Sequence, residues 1–202
     1  MLKSFQPCWL LLIFILVSCG ESEPTLIPDG CISSIYEGDV ILATQSDINA
    51  FGETCYTSVD GILQIGQPGI PSNINDLSPL AEVRSASELI VVSNPELRAL
   101  DDLQLKQIHD RILISDNLLL EDISRLAEVR NDHIAVTISR NPSLSSLVGL
   151  NQIQRFSNLD IVDNKSLRDL LALSTAERMN CLYIEKNDLL TSLDGLENLN
   201  NL

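Results

Sequence analysis

The 202-residue chain predicts a mainly β fold: a β-helix-like repeat solenoid of 23–24-residue coils with a parallel sheet and a short N-terminal capping helix. Three observations carry that expectation. Asparagines recur at Asn94, Asn117, Asn141, Asn164 and Asn187, with spacings of 23, 24, 23 and 23. Aligned on them, five columns of five residues each are wholly aliphatic. Aromatic residues make up only 4% of the chain, so the interior must be filled by Leu, Ile and Val, which suits stacked layers better than a ring-centred core.

The N-terminus carries an export pattern. Lys3 supplies a positive start, and Trp9 to Val17 is an apolar run too short to span a bilayer as a helix. The next residues, Leu16-Val17-Ser18-Cys19, resemble the lipobox of bacterial lipoproteins, in which cleavage precedes the cysteine and the cysteine is acylated. The resemblance implies a signal peptide at residues 1–18 and lipidation of Cys19. An ordinary cleaved signal or an uncleaved anchor are the competing explanations. Residues 19–37 read as an acidic tether, because GESEPTLIPDG has turn and linker composition. Cys31 and Cys55 lie 24 residues apart and, in an exported protein, could form a disulfide around this segment. Alternatively they and Cys181 are reduced, small buried hydrophobes; Cys181, inside the repeats, is expected to be unpaired.

The repeat region spans 38–202. Val40 and Leu42 suggest a first strand, and SDINAF (Ser46 to Phe51) reads as a short helix with Ser46 as its cap, covering the open end of the stack. Leu63 and Ile65 begin a coil whose return residues Ile74, Leu77, Leu80 and Val83 fit if three residues of GQPGIPSN are inserted. From there the columns are regular. Five residues before each Asn stand Leu89, Ile112, Val136, Leu159 and Leu182; three before stand Val91, Ile114, Ile138, Ile161 and Ile184. That spacing of two is a strand with both side chains on one face. After the Asn, aliphatics follow at three-residue steps, as in Leu97, Leu100 and Leu103 or Leu144, Leu147 and Leu150. A helix would need i, i+3, i+4 spacing, so extended or single-turn segments are expected on the return side. A buried amide is costly without partners, but an Asn at the same bend of every coil finds them in its neighbours, so the five asparagines are expected to form an internal ladder. Pro95 and Pro142, each following an Asn, stop the strand. The pattern continues through GLENLNNL, so either a partner supplies a cap or the chain is a fragment.

SNPELRALDDL, RNPSLSSLVGL and KNDLLTSLDGLENL resemble repeats of receptor L-domain-like proteins, relatives of leucine-rich repeats, and GDVILATQSDINAF with VDGILQIG is similar to the entry segment of bacterial lipoproteins of that kind. The resemblance implies a right-handed solenoid exposed at the cell surface and used for recognition or adhesion. Leu118 and Lys165 depart from it, standing where Pro is usual, as does the insertion near Pro68.

Charge narrows the partners. Without residues 1–18 the chain holds 12 basic and 28 acidic residues, a net −16. Residues 19–83 contain ten acids and no base. Such a surface repels phosphate backbones and anionic head groups, so nucleic acid is not expected as a partner and membrane attachment should come from the lipid alone. No cofactor, metal or catalytic residue is expected, because no G-x-S-x-G, P-loop, G-x-G-x-x-G or H-E-x-x-H occurs. His109 and His133, with Asp110 and Asp132 nearby, each precede an Asn by eight residues, but Ala86, Phe156 and Met179 hold the same alignment position, which argues against a metal site. The outward strand positions are Ile90, Leu113, Thr137, Asp160 and Tyr183, and Val92, Ser115, Ser139, Val162 and Glu185. Their apolar members make either an exposed contact face or a reflection of β-propensity. The expectation is a non-enzymatic, lipid-anchored module of the bacterial envelope, at the outer membrane or cell surface, that recognises a protein or carbohydrate. The alternative is a structural or assembly component of a larger surface protein or complex.

Overall fold

The structure, a computed structural model, describes residues 34–131 and 133–200. Among these residues nine strands form a single sheet, and every pairing between them is parallel. β1 (Ser34–Glu37) and β2 (Val40–Leu42) both pair with β3 (Tyr56–Ile65). β4 (Ser85–Val92), β5 (Gln107–Ser115), β6 (Ile134–Ser139) and β7 (Arg155–Val162) follow side by side, and β8 (Arg178–Met179) and β9 (Leu182–Glu185) both pair with β7. The sheet is open rather than closed on itself. Ser34–Glu37 fall within the segment expected to be tether, so the sheet begins ahead of the boundary expected at residue 38.

The aliphatic columns become rows across the sheet. Leu89, Ile112, Val136, Leu159 and Leu182 are successive register partners, as are Val91, Ile114, Ile138, Ile161 and Ile184. Each strand turns these two side chains to the same side, where the return segments meet them in one continuous apolar cluster. The three-residue step of the return segments has a direct cause. The backbone N–H of Leu97 donates to the carbonyl of Asn94, and that of Leu103 to Leu100; the same i to i−3 bonds recur at Leu120, Leu126, Leu144, Leu150, Leu167 and Leu173. Side chains three apart eclipse on such tight turns and point the same way, here inward. Short 3₁₀ turns at Ser78–Leu80, Ser124–Glu128 and Leu171–Leu173 are the longest runs of this geometry.

One α-helix, α1 (Gln45–Gly52), packs at the β2 end. Its cap is Thr44, not Ser46: the Thr44 hydroxyl accepts from the Asp47 N–H at 3.3 Å while the Asp47 carboxylate accepts from the Thr44 N–H at 2.9 Å. A reciprocal box needs an acid at the third helical position, which Thr44 has in Asp47 and Ser46 would lack in Asn49. Ile48 and Phe51 are buried, and the rings of Tyr36, Phe51 and Tyr56 lie 5.2–5.6 Å apart, closing this end of the apolar cluster. The insertion after β3 is a tight loop. Gly66, at φ +86°, passes so near β4 that a Cβ there would lie 2.0 Å from the Val92 carbonyl oxygen. Beyond it Ile74, Leu77, Leu80 and Val83 return to the core.

The five asparagines form a continuous hydrogen-bonded chain. The Asn117 side-chain carbonyl accepts from both the backbone N–H and the amide of Asn94, each at 3.1 Å. Asn117 donates in the same way to Asn141 at 3.2 and 3.1 Å, and Asn141 to Asn164 at 3.1 and 3.3 Å. The Asn164 N–H donates to Asn187 at 2.9 Å. Each amide also reaches back to the preceding repeat, as in the bond from Asn117 to the Val91 carbonyl at 3.0 Å. At its start the chain ends on Ser72, whose hydroxyl donates to the Asn94 side-chain carbonyl at 2.7 Å.

Four substitutions separate the contributions of core and ladder. Leu144→Ala should lower the unfolding free energy by about 2–5 kcal/mol, whereas Leu193→Ala, at a side chain 61% exposed, should cost less than about 1 kcal/mol. Asn117→Ala should cost about 3 kcal/mol by stranding buried donors and acceptors on both sides, and Asn117→Asp more, because it adds a buried charge and removes the amide donors. Urea unfolding followed by circular dichroism measures all four.

Candidate functional site

The side of the sheet turned away from the core is positioned by the strand register. Leu113, Thr137, Asp160 and Tyr183 form one row, and Ser115, Ser139, Val162 and Glu185 the next. Ile90 and Val92 extend these rows at β4. Of the two readings left open for the apolar members of these rows, a ribbon of exposed aliphatics is not what the rows present. Ile90, Val92, Ser115 and Ser139 are buried, while Leu113, Thr137, Asp160, Val162 and Glu185 are partly covered and Tyr183 is half exposed. The insertion loop accounts for part of the difference, since it runs back along the end of β4: the Ser72 N–H donates to the Ser93 carbonyl at 2.9 Å and the Gly69 N–H to the Ser93 hydroxyl at 3.1 Å. Ser115 and Ser139 are short side chains sunk between neighbouring strands.

What remains accessible is a row graded from apolar to polar. Leu113 leads to Thr137, whose hydroxyl donates to Asp160 at 3.4 Å, and then to Tyr183. The Tyr183 hydroxyl donates to Glu185, which holds the Glu185 carboxyl below its ordinary range, with Lys186 adding to the effect. The same bond holds the Tyr183 hydroxyl above its ordinary value, so it stays a donor. An exposed ring flanked by ionised acceptors can stack on an apolar ligand face and hydrogen-bond its hydroxyl or amide groups.

At the C-terminal ends of the strands lies a second feature that the sequence did not disclose. The residue before each ladder asparagine, Ser93, Asp116, Arg140, Asp163 or Lys186, has φ between 55° and 60°. This left-handed bend is invisible in the sequence because no glycine occupies the column. The cross-repeat charge order was the available signal: Asp116 and Arg140 are one repeat apart and form a two-armed pair at 2.6 and 2.7 Å. With Pro68, Gly69, Pro71, Ser93, Pro95 and Leu118 they line a groove of about 430 Å³. The Arg140 guanidinium holds the Asp116 carboxyl below its ordinary value, and Asp116 raises Arg140 in return. Lys165 is likewise raised by Asp163 and Asp188.

The histidines do not share the position held by Ala86, Phe156 and Met179. Those three are buried, while His109 and His133 are exposed and their chain neighbours Ile108 and Ile134 are buried instead. Irregularities in register between Ala86 and Glu88 and between Ile134 and Ala135 shift the count by one, which turns the imidazoles out of the sheet. Asp132 lies outside the described residues. Among the described residues no three His, Cys, Asp or Glu side chains are grouped as a metal ion would require. Cys55 is disulfide-bonded; Cys31, its expected partner, and Cys19 lie outside the described residues. Cys181 is free and exposed. No helix among the described residues is long and apolar enough to cross a membrane.

The fold and the site define a mainly β protein with one parallel repeat sheet, a graded solvent row and a proline-lined groove at the strand ends. Compared with family models, with curated proteins and with solved structures, the chain matches none.

The Asp116–Arg140 pair yields a pH prediction. The folded-state pKa of Asp116 is depressed, so its stabilisation is present above the ordinary aspartate value of 3.8 and lost as pH falls through the lower folded value. Asp116→Asn, which tolerates the same backbone bend, should lower stability at neutral pH by less than about 1 kcal/mol because the pair is partly exposed. The gap between the two proteins should close under acid conditions, as read by thermal melts across the acid range.

Proposed function

We propose that the protein is a lipid-anchored binding module of the bacterial cell envelope, attached through Cys19 and displaying a right-handed solenoid of receptor L-domain-like repeats to a protein or glycan. The observation that carries this reading is the accessible row Leu113, Thr137, Asp160, Tyr183, a mixed apolar and hydrogen-bonding strip on strands held in register by parallel pairing. Such a frame holds side chains in place before a ligand arrives, so little ordering entropy is lost on binding. Carboxyls with shifted values, Asp116, Glu185 and Glu197, all move downward and stay ionised near neutrality, which suits fixed acceptors better than proton transfer. The negative balance steers the choice toward neutral or cationic ligands. Support for the anchor is the apolar run followed by Leu16-Val17-Ser18-Cys19.

Two measurements test the proposal. Labelled palmitate should enter the wild-type chain and not Cys19→Ala in a bacterial host, with surface protease treatment of intact cells reporting the exposed face. Binding of the purified mature chain should be screened on arrays of envelope glycans and peptides. Tyr183→Ala and Leu113→Asp together should weaken the strongest hit by about tenfold or more. Full binding by that folded double variant would remove the row from consideration.

A further inference from the structure

The groove at the strand ends has walls that are fixed in place and two charged residues that cancel each other. One wall is the loop after β3, where Pro68 and Pro71 restrict the backbone. That loop is tied down by the Ile70 N–H on the Gln67 carbonyl at 3.1 Å, the Gly69 N–H on the Ser93 hydroxyl at 3.1 Å and the Ser72 N–H on the Ser93 carbonyl at 2.9 Å. Pro95 and Leu118 add apolar surface, one repeat apart and each directly after a ladder asparagine. Leu118 is more than half exposed, and its carbonyl is held by the Ser143 hydroxyl at 2.7 Å. At the polar end, Asp116 bonds the Arg140 guanidinium along its Nε–Nη2 edge, which pins the plane. Nη1 has no acceptor among the described residues, and the Arg140 side chain stays more than half exposed. Asp163 also acts on Arg140, so nothing here draws an anion, while the guanidinium turns away a cation.

We infer that this groove receives a neutral aromatic side chain, an indole above all, from a protein partner. Its volume of about 430 Å³ admits such a ring. An aromatic ring meets both halves of the lining at once: it buries apolar area against the prolines and Leu118, and it stacks its π face on the flat guanidinium. The ring has to come from outside, because no residue lining the groove is aromatic. The same lack tells against a sugar, whose C–H face would be held by an aromatic platform. Tied walls and a pinned guanidinium mean that little order is lost on binding. The inference goes beyond the reading of the solvent row and does not rest on it, since that row lies on the face of the sheet and the groove beyond the strand ends.

The test uses the full chain, isotope-labelled for amide resonances, and two neutral peptides: acetyl-Ser-Trp-Ser-amide, and its counterpart with cyclohexylalanine, a saturated ring without a π face, in place of Trp. The amides of Gly69 and Leu118 should shift saturably with the tryptophan peptide at concentrations up to about 10 mM. The cyclohexylalanine peptide should bind about tenfold more weakly. Arg140→Ser keeps a residue that the same left-handed bend already holds at Ser93, and it should reduce that preference to less than about twofold. Leu118→Asp, at an exposed position that leaves the core intact, should weaken both peptides by about tenfold. The absence of saturable shifts, equal binding of the two peptides, or a preference that survives Arg140→Ser overturns the inference. So do shifts at Leu113 and Tyr183 in place of Gly69 and Leu118, which would put the ring on the solvent row, and tighter binding of methyl glucoside than of the tryptophan peptide. Shifts at Gly69 and Leu118 that grow with protein concentration and need no peptide overturn it as well, since the occupant would then be a second copy.

Discussion

The asparagine ladder is the constraint on which the rest of the structure depends. A parallel sheet must bring the chain back by the same distance after every strand, and the bend at each strand end leaves backbone groups that water cannot reach. Asn94, Asn117, Asn141 and Asn164 are fully buried, and each is bonded on both sides by its neighbours. An amide is the one short side chain that offers two donors and an acceptor at the same point, so its oxygen accepts from the asparagine before it while its nitrogen donates to the asparagine after it and to a carbonyl of the preceding repeat. Serine would supply too few donors; aspartate would bury a charge. Once the bend is fixed, strand register follows, and with it the alignment of every aliphatic row.

This is why the architecture was legible in the sequence to the extent that it was. Asparagines at a spacing of 23 or 24 mark the bends, and the aliphatics at −5 and −3 mark the strands, because both demands repeat unchanged in each layer. The return segments were legible for a different reason: the three-residue step is the period of a tight turn closing on the carbonyl three residues back. Legibility failed where one repeat departs from the others. The helix cap fell on Thr44 because a reciprocal bond to Asp47 outweighs a lone serine. The histidines moved off the alignment because an irregular strand pairing shifts the count by one residue, a change that no spacing in the sequence records.

The solvent side was less legible still, for a physical reason. Alternation within a strand says which way a side chain points, not whether another segment lies over it. Val92 points away from the apolar cluster and is nevertheless 2% exposed, in the strand whose end is followed by the loop after β3. The residues left accessible, Leu113, Thr137, Asp160 and Tyr183, are therefore a narrower and more polar strip than alternation alone implies. Ion pairs between adjacent repeats, such as Arg98 with Glu121 at 3.0 Å and Arg111 with Glu88 at 2.7 Å, decorate this frame, each worth little alone at such exposure.

The left-handed bend before each asparagine has a consequence for how such a surface can change over time. Its five positions hold Ser, Asp, Arg, Asp and Lys, so the conformation is enforced by the bonds around it and tolerates unlike side chains. Mutation there alters the sign and reach of the rim while the interior is left as it was. A lineage could thus retune what this border attracts or repels, one layer at a time, without renegotiating the stack beneath.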